Sequence, residues 1–232
     1  MANFFPYFSK HIRYIFSNRD FVLHETQFDE TWSRHINNEQ NPRFVAVASA
    51  IEPNSTVLDL GCGNGDLMKR LISQLNVQAF GIDASTVGIE RCRALGLQAT
   101  YMDLHDLDLS QFNNFDYIVL SEVIEHIVDC EKIIEKVKGH FNKALIVTIP
   151  NAGYIWYRLR YLFGRFPIDE DCALNMHVRF WTKKDFTIWS KQMGLKLIAA
   201  RGCGGFPKLW RYWPSLFSRN NLYVMRLGDK SV

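Results

Sequence analysis

The sequence lacks the features that mark a membrane-spanning, secreted or zinc-stabilised protein. No apolar run among its 232 residues approaches the roughly 20 needed to cross a bilayer. The first ten residues have neither a basic stretch nor a small-residue cleavage site, so they do not fit a secretory signal. The five cysteines are odd in number, widely spaced and never in a C-x-x-C pair, which argues against disulfides and structural zinc. These absences favour a reducing, cytoplasmic setting.

Charge is distributed unevenly along the chain, whose formal net charge is +3. Residues 152–232 contain 14 Lys or Arg and five Asp or Glu, whereas residues 1–151 contain 13 and 19. A basic C-terminal third fits an anionic acceptor or surface, although scattered solvated lysines would give the same count. We find no repeat or linker, so the sequence predicts a single domain over 1–232 with a helical, aromatic extension at 1–50, in which 11–16 and 42–51 are the better helical segments.

Short apolar segments alternate with amphipathic ones from residue 56 onward. Strands are predicted at Thr56–Leu60, 77–82, 99–102, 117–120 and 144–149, and helices at Asp66–Leu75, 86–95, 131–138 and 182–193. Apolar strands separated by helices predict a parallel sheet covered on both faces. Two final strands, 195–200 and 222–227, are predicted as a hairpin at the sheet edge. The expected fold is α/β, with a Rossmann-like, seven-stranded, mostly parallel sheet.

A glycine-rich loop follows the first predicted strand. Gly61, Gly63 and Gly65 stand in a G-x-G-x-G spacing after Asp59 and lead into a helix. Glycines let the backbone adopt positive φ and approach a ligand, which open α/β sheets bind at the carboxyl ends of their strands. An acidic residue before the loop suits a cationic amino group better than a pyrophosphate. The spacing is typical of an S-adenosylmethionine loop; a tight structural turn is the plainer alternative.

Two more acidic residues close the next strands. Asp83 is placed to accept from two ribose hydroxyls, and Asp103 from an adenine amino group. Singly, each could be a helix N-cap or a turn residue, but together with Asp59 they indicate one cofactor site. The predicted cofactor-binding residues are Asp59, Gly61, Cys62, Gly63, Asn64, Gly65, Asp83, Ala84, Asp103, Leu104 and Ser121.

From about residue 56 to 201 the sequence resembles the class I S-adenosylmethionine-dependent methyltransferases. Besides the glycine loop, the segments 115–126 and 144–151 carry this resemblance. Residues 151–182, with an arginine-rich aromatic helix, are similar to MetW-like proteins, some of which support a partner acyltransferase without methylating anything. The segment 122–126 instead resembles ubiquinone-pathway O-methyltransferases and small-RNA 2′-O-methyltransferases. The latter resemblance implies a divalent metal such as Mg²⁺ held by Glu122, Glu125, His126 and His177.

His126 and Glu122 are the predicted catalytic residues. Four positions apart, they would share one helical face beyond the cofactor edge, where a neutral imidazole can act as a general base for a hydroxyl. A bound metal would instead lower the acceptor's pKa, and in a third interpretation His126 only braces its turn. The predicted function is S-adenosylmethionine-dependent O-methylation of a small molecule or a glycan or lipid intermediate. The alternatives are an RNA-terminal 2′-O-methyltransferase and a MetW-like accessory protein without catalysis.

Two aromatic segments follow the fifth strand. The insertion at 151–180 predicts either a lid whose Arg158, Arg160 and Arg165 meet phosphate or carboxylate, or a helix packed on the core. The stretch 206–217 favours packing on the domain over peripheral contact with an anionic membrane. A nucleic-acid acceptor is less favoured, because no basic nucleic-acid module is present.

Overall fold

The computed structural model describes residues 41–166, 177–206 and 208–228. The strands are β1 (Thr56–Leu60), β2 (Gln78–Asp83), β3 (Gln98–Tyr101), β4 (Phe115–Ser121), β5 (Phe141–Pro150), β6 (Leu195–Gly205) and β7 (Ser218–Leu227). The helices are α1 (Pro42–Ala48), α2 (Asp66–Leu75), α3 (Thr86–Ala94), α4 (Cys130–Val137), α5 (Ile155–Leu162), α6 (Lys183–Gln192), α7 (Leu209–Tyr212) and α8 (Pro214–Phe217). Two 3₁₀ turns, Leu104–Asp106 and Ile124–His126, follow β3 and β4. The predicted helix at 11–16 and residues 167–176 of the insertion lie outside the described residues.

The strands form one seven-stranded sheet in the order β3-β2-β1-β4-β5-β7-β6. The first five pair in parallel, whereas β7 runs antiparallel to both β5 and β6. The prediction of a Rossmann-like, mostly parallel sheet ending in a hairpin is therefore confirmed. Strand order reverses on either side of β1, so the loops after β1 and β4 open a crevice at their carboxyl ends.

The core lies on both faces of this sheet. Leu58 of β1 belongs to an apolar cluster with Ile133 of α4 and Phe186 of α6. Its neighbour Val57 belongs to a second cluster, which includes Leu71 of α2. Because alternate residues of one strand serve opposite faces, the strands can be apolar throughout, which is the pattern that predicted them.

Most predicted elements are found, with shifted ends. Strand β5 begins at Phe141 instead of 144, because the buried Phe141 pairs with Phe115 across the sheet. The terminal hairpin extends as far as a pairing between Gly205 and Ser218, well beyond the predicted strands. Helix α1 ends at Ala48, earlier than the apolar pattern indicated. No helix in the described part of the chain is long and apolar enough to cross a bilayer.

Candidate cofactor and acceptor site

The glycine loop follows β1 and is held in a conformation that other residues adopt poorly. Gly61 has φ of 78° and Gly65 of 80°, both left-handed. A Cβ at Gly61 would lie 2.4 Å from Cγ2 of Val123, and one at Gly65 would lie 2.5 Å from Cδ1 of Leu97. Only glycine fits at these two positions, because Val123, in the segment that follows β4, and Leu97 already occupy the space that a Cβ would need.

Asp83, the last residue of β2, braces this loop. Its carboxylate accepts hydrogen bonds from the backbone N–H of Gly63 at 2.7 Å and of Ser85 at 2.8 Å. A carboxylate has about four acceptor positions, so these bonds leave capacity for ligand hydroxyls. Ser85 in turn caps α3 by accepting from the N–H of Gly88. Asp83 therefore couples the glycine loop to the start of the next helix.

Asp59 and Asp103 stand at the same carboxyl edge in different surroundings. Asp59 is buried in β1, and burial, followed by the charge of Asp83, raises the pKa of Asp59 to about 7. Asp103 is exposed beyond β3 and caps the Leu104–Asp106 turn by accepting from the N–H of His105 at 2.9 Å. The structure places all three acidic residues at one edge of the sheet; their contacts with a cofactor stay a prediction.

The remaining residues predicted for the cofactor line the same loops. Cys62, Asn64 and Leu104 are buried, and Ala84 and Ser121 are half-buried. The Oγ of Ser121, at the end of β4, lies 3.0 Å from Oγ1 of Thr148 on β5, and either hydroxyl can donate. The four cysteines in the described ranges, Cys62, Cys92, Cys130 and Cys203, are free thiols.

Glu122 does not share a helical face with His126, so that prediction is wrong. Glu122 has a left-handed φ of 58° and precedes the short 3₁₀ turn, which begins at Ile124, so no continuous helix joins the two residues. Its Oε2 accepts from Nδ2 of Asn220 at 2.6 Å and pairs with Arg43 at 3.0 Å. The Glu122 carboxylate is therefore held by β7 and α1.

Three of the four residues expected to hold a metal, Glu125, His126 and His177, lie close together. One ligand atom from each lies within 4.8 Å of the others. The segment carrying His177 is fixed by the backbone, since the carbonyl of Glu125 accepts from the N–H of Val178 at 2.8 Å and of Arg179 at 3.1 Å. Glu122, the fourth predicted ligand, is not part of this cluster.

The carboxyl group of Glu125 lies in an unusual environment. It is buried, and within the described residues neither of its oxygens has a hydrogen-bond partner. Burial, and to a lesser extent the charge of Glu122, raises the pKa of Glu125 well above its ordinary range. A buried carboxyl group is stable only when it is protonated or when a cation balances its charge. Glu125 with two adjacent imidazoles therefore has the chemistry of a candidate cation site.

Aromatic rings connect this cluster with the insertion. The rings of His177 and Phe180 are 6.4 Å apart, those of Phe180 and Phe166 5.6 Å, and those of Phe166 and Tyr161 5.8 Å. Arg160 is buried and donates to the carbonyl of Phe166 at 3.0 Å, so it serves the fold of the insertion. The rings form a row from the end of α5 to the candidate cation site.

Sequence reasoning missed Arg43 and Asn220. No sequence motif indicates Arg43, because it is far from Glu122 in the sequence and lies beside it only in the folded protein. Asn220 had a weak signal, because Asn220 and Asn221 directly precede the apolar run at 222–225, and the structure buries both. A buried asparagine pair at a strand end is a reasonable indication of a polar site nearby.

This sheet order, with the glycine loop after β1, is that of the class I methyltransferase fold. A solved structure of the protein bound to the Haloferax volcanii methyltransferase activator Trm112 has the same fold, with a TM-score of 0.65 and 17% identity, over 89% of this chain and 100% of that one. Residues 41–225 match the family model of methionine biosynthesis protein MetW. The chain belongs to the MetW family, within the class I S-adenosylmethionine-dependent methyltransferase superfamily.

The curated relatives have names that refer to methyltransferases or synthases, and these names mention different compounds. Phosphoethanolamine N-methyltransferase 2 of Caenorhabditis elegans is 26% identical over 156 residues, 59% of this chain and 36% of the relative. Methoxy mycolic acid synthase MmaA3 of Mycobacterium tuberculosis is 35% identical over 166 residues, 60% of this chain and 55% of the relative. The chain thus spans about half or less of the length of these relatives.

Proposed function

We propose that this protein binds S-adenosylmethionine in the glycine loop and transfers its methyl group to an oxygen of a small-molecule, glycan or lipid-linked acceptor. The observation that carries the proposal is the contact between Gly61 and Val123. It joins the glycine loop, which is proposed to hold the cofactor, to the segment that bears His126, so donor and base would lie on adjoining loops of one crevice.

The chain's own residues fit the cofactor by charge and by shape. The left-handed glycines Gly61 and Gly65 shape the loop after β1, and Asp59 and Asp83 supply carboxylates for an ammonium group and for ribose hydroxyls. When bound, S-adenosylmethionine supplies a methyl group on a sulfonium, and the electron pair of the broken carbon–sulfur bond stays on sulfur. The protein has to align donor and acceptor and to exclude water.

His126 is proposed to take the proton that the acceptor hydroxyl loses as its oxygen bonds to the methyl carbon. His126 is half-buried, and its ring lies 4.7 Å from that of His177, so the imidazole is accessible but not loosely placed. Glu122, fixed by Asn220 and Arg43, is proposed to orient the turn that carries His126. In this mechanism Glu122 is a positioning residue, since its carboxylate faces β7.

A metal-assisted version is the second candidate, favoured by the cluster of Glu125, His126 and His177. These side chains would hold a divalent cation, which would acidify an acceptor hydroxyl bound to it. Two imidazoles and one carboxylate suit Mn²⁺ or Zn²⁺ better than Mg²⁺, which prefers oxygen ligands. As a metal ligand His126 could not also accept a proton, so the two versions are mutually exclusive. The metal version is also the one that an RNA-terminal acceptor would share.

The acceptor is proposed to have an apolar or aromatic part next to its hydroxyl. The row formed by His177, Phe180, Phe166 and Tyr161 offers ring edges and faces on which such a part can pack. The relatives' names include both a nitrogen acceptor and a methoxy lipid, so preference for oxygen rests on the imidazole base. The excess of cations in residues 152–232 also suits an acceptor with an anionic group.

The test is release of S-adenosylhomocysteine from S-adenosylmethionine by the full chain, supplied in turn with polar, lipid and RNA fractions of a cell extract. We expect release above the acceptor-free rate with a polar or lipid fraction, and loss of that release in His126→Ala. Release with the RNA fraction alone would instead establish the 2′-O-methyltransferase alternative. Cofactor binding without release in any fraction would contradict methyl transfer and support the accessory function.

A further inference from the structure

Helix α5 presents an apolar and basic face to solvent. Arg158, Tyr161 and Leu162 lie at the i, i+3 and i+4 spacing of one helical stripe, and Arg165 follows the end of the helix. Leu162 is 75% exposed and Tyr161 56% exposed. The opposite stripe, with Trp156 and Tyr157, is buried. Two large apolar side chains on the outer face of a helix are not explained by the packing of the core.

The segment after β6 has the same character. Helix α7 buries none of its four residues, although three of them are apolar or aromatic. Tyr212 is 84% exposed and the following Trp213 59% exposed. The guanidinium of Arg211 lies 5.2 Å from the ring centroid of Trp210, so a cation and an aromatic ring are presented together. The prediction that 206–217 packs on the domain holds for Phe206, which is buried, and fails for Tyr212 and Trp213.

The two segments lie at one end of the molecule. The ring of Trp156 on α5 stacks on Phe206 at 6.1 Å, and Phe206 contacts Phe217 of α8 at 5.6 Å. Nδ2 of Asn151, just after β5, donates to the carbonyl oxygens of Pro214 and Ser215 at 3.3 and 3.2 Å. The exposed side chains of α5 and α7 therefore flank a common packed centre. We call them the aromatic–basic face, which consists of Arg158, Tyr161, Leu162, Phe163, Arg165, Lys208, Leu209, Arg211, Tyr212 and Trp213.

Charge on this face has one sign. Among the described residues of this face the cations are Arg158, Arg165, Lys208 and Arg211, and the sequence has no Asp or Glu in residues 152–166 or 186–228; the acidic run at 169–171 lies outside the described residues. Exposed aromatic and leucine side chains next to Lys and Arg suit the boundary between water and an anionic bilayer. There the rings and Leu162 enter the headgroup region, and each cation gains from the negative surface potential. A protein partner would need carboxylates complementary to these cations, whereas an anionic bilayer presents lipid phosphate groups to them at any orientation.

We propose that the aromatic–basic face docks the protein peripherally on an anionic lipid bilayer. The two parts of the face follow β5 and β6, on the same sheet edge as the glycine loop and His126, so docking would bring the mouth of the site toward the lipid surface. The proposal concerns attachment alone and requires neither cofactor nor acceptor.

The experiment is sedimentation of the full chain with vesicles of phosphatidylcholine, alone or with about 30% phosphatidylglycerol. We expect binding to the anionic vesicles, weaker binding in high salt, and a blue shift of tryptophan fluorescence on binding. Leu162→Glu and Arg211→Glu should each lower the partition coefficient by about tenfold or more, because each places a negative charge on the face. Any contribution of residues 1–40 is common to all variants.

Leu95→Glu is the matched control, since Leu95 is 47% exposed at the end of α3, away from this face. It should bind as the wild type does. All three variants should melt like the wild type, which is checked by circular dichroism. Equal losses in Leu95→Glu and Leu162→Glu would overturn the proposal, as would equal binding to both vesicle types. Failure to bind either type would also overturn it. None of these results depends on methyl transfer, so docking and the proposed function can fail separately.

Discussion

The imidazole rings of His126 and His177 lie with their centroids 4.7 Å apart and their planes at 66°. They come from different parts of the chain, and the backbone of the neighbouring residues fixes their approach. The carbonyl of Glu125 accepts from two successive N–H groups, those of Val178 and Arg179. The side chain of Arg179 also donates to the carbonyl of Val128 and to Glu131. These bonds fix the segment of His177, which follows β5 in the sequence, against the turn after β4.

The histidine pair leads to a prediction about metal binding. Titration of the wild type with Mn²⁺ or Zn²⁺ in a calorimeter should show one site, with affinity reduced at least about tenfold in His177→Ala because one of three ligands is lost. His105→Ala is the matched control, since His105 is exposed on the 3₁₀ turn after β3. No heat of binding up to millimolar metal, or the same loss in both variants, would contradict the metal-assisted mechanism.

Chelation should leave cofactor binding intact. The candidate cation ligands follow β4 (Glu125 and His126) and β5 (His177), whereas the residues proposed to hold the adenosine and amino groups lie at the ends of β1, β2 and β3. We expect the dissociation constant of S-adenosylhomocysteine to be unchanged by an excess of EDTA, measured by calorimetry. If EDTA abolished binding, the assignment of separate residues to metal and cofactor would be wrong.

Replacement of His126 tests whether it serves catalysis or folding. Loss of a general base lowers the rate by about 10²–10⁴-fold. Substitution of a side chain at the surface, by contrast, usually changes the free energy of unfolding by about 0.5 kcal/mol or less. His126→Ala should therefore melt near the wild type, bind S-adenosylhomocysteine normally and lose nearly all turnover. His105→Ala should retain turnover. An unfolded His126→Ala variant would show instead that the imidazole braces its turn.

The sheet and the cofactor loop could be predicted because their signals are local. An apolar strand, three glycines and a helix follow one another without a gap, and their register places Asp59 beside Gly81 on β2. Because parallel strands all end at the same edge of the sheet, acidic residues at the ends of successive strands lie at that one edge. The predictions for this half of the site thus needed only residues that are close in sequence.

The direction of the Glu122 side chain could not be predicted, because its causes lie far away in the chain. Its left-handed backbone conformation is rare for glutamate, and its partners Arg43 and Asn220 come from α1 and β7. A four-residue spacing predicts a shared face only within a continuous helix. Likewise, the sequence does not show which arginine of this segment is buried. Arg160 is the one whose side chain donates to the carbonyl of Phe166.

The role of Asp83 leads to a prediction for the cofactor. Asp83→Ala removes the acceptor for the N–H groups of Gly63 and Ser85 as well as any ligand hydroxyl. Loss of charge-assisted hydrogen bonds of this kind costs about 1–3 kcal/mol, so S-adenosylhomocysteine should bind roughly five- to 150-fold more weakly by calorimetry. Asp108→Ala, on the exposed loop before β4, is the control and should bind normally. Absence of binding by the wild type up to millimolar concentration would refute the cofactor site.

Asp59 should make cofactor binding depend on pH. Burial and the charge of Asp83 raise the pKa of Asp59 to about 7, so below that pH the carboxyl group of the free protein carries a proton. A cationic amino group on the ligand stabilises the carboxylate, so the proton must leave when the ligand binds. The sign follows by linkage: affinity falls as pH drops below about 7, by up to about tenfold per pH unit, and is constant above it.

The measurement is the dissociation constant of S-adenosylhomocysteine between pH 5.5 and 7.5, by calorimetry in two buffers of different ionisation enthalpy. At pH 6 the difference in heat between the buffers should correspond to release of nearly one proton per ligand bound. Asp59→Asn, which cannot ionise, should bind more weakly at pH 7.5 and should lose most of the pH dependence. If wild-type affinity stayed constant or rose toward acid pH, Asp59 would not be the acceptor for the amino group. The buried carboxyl would then serve only to pack the end of β1 against β2.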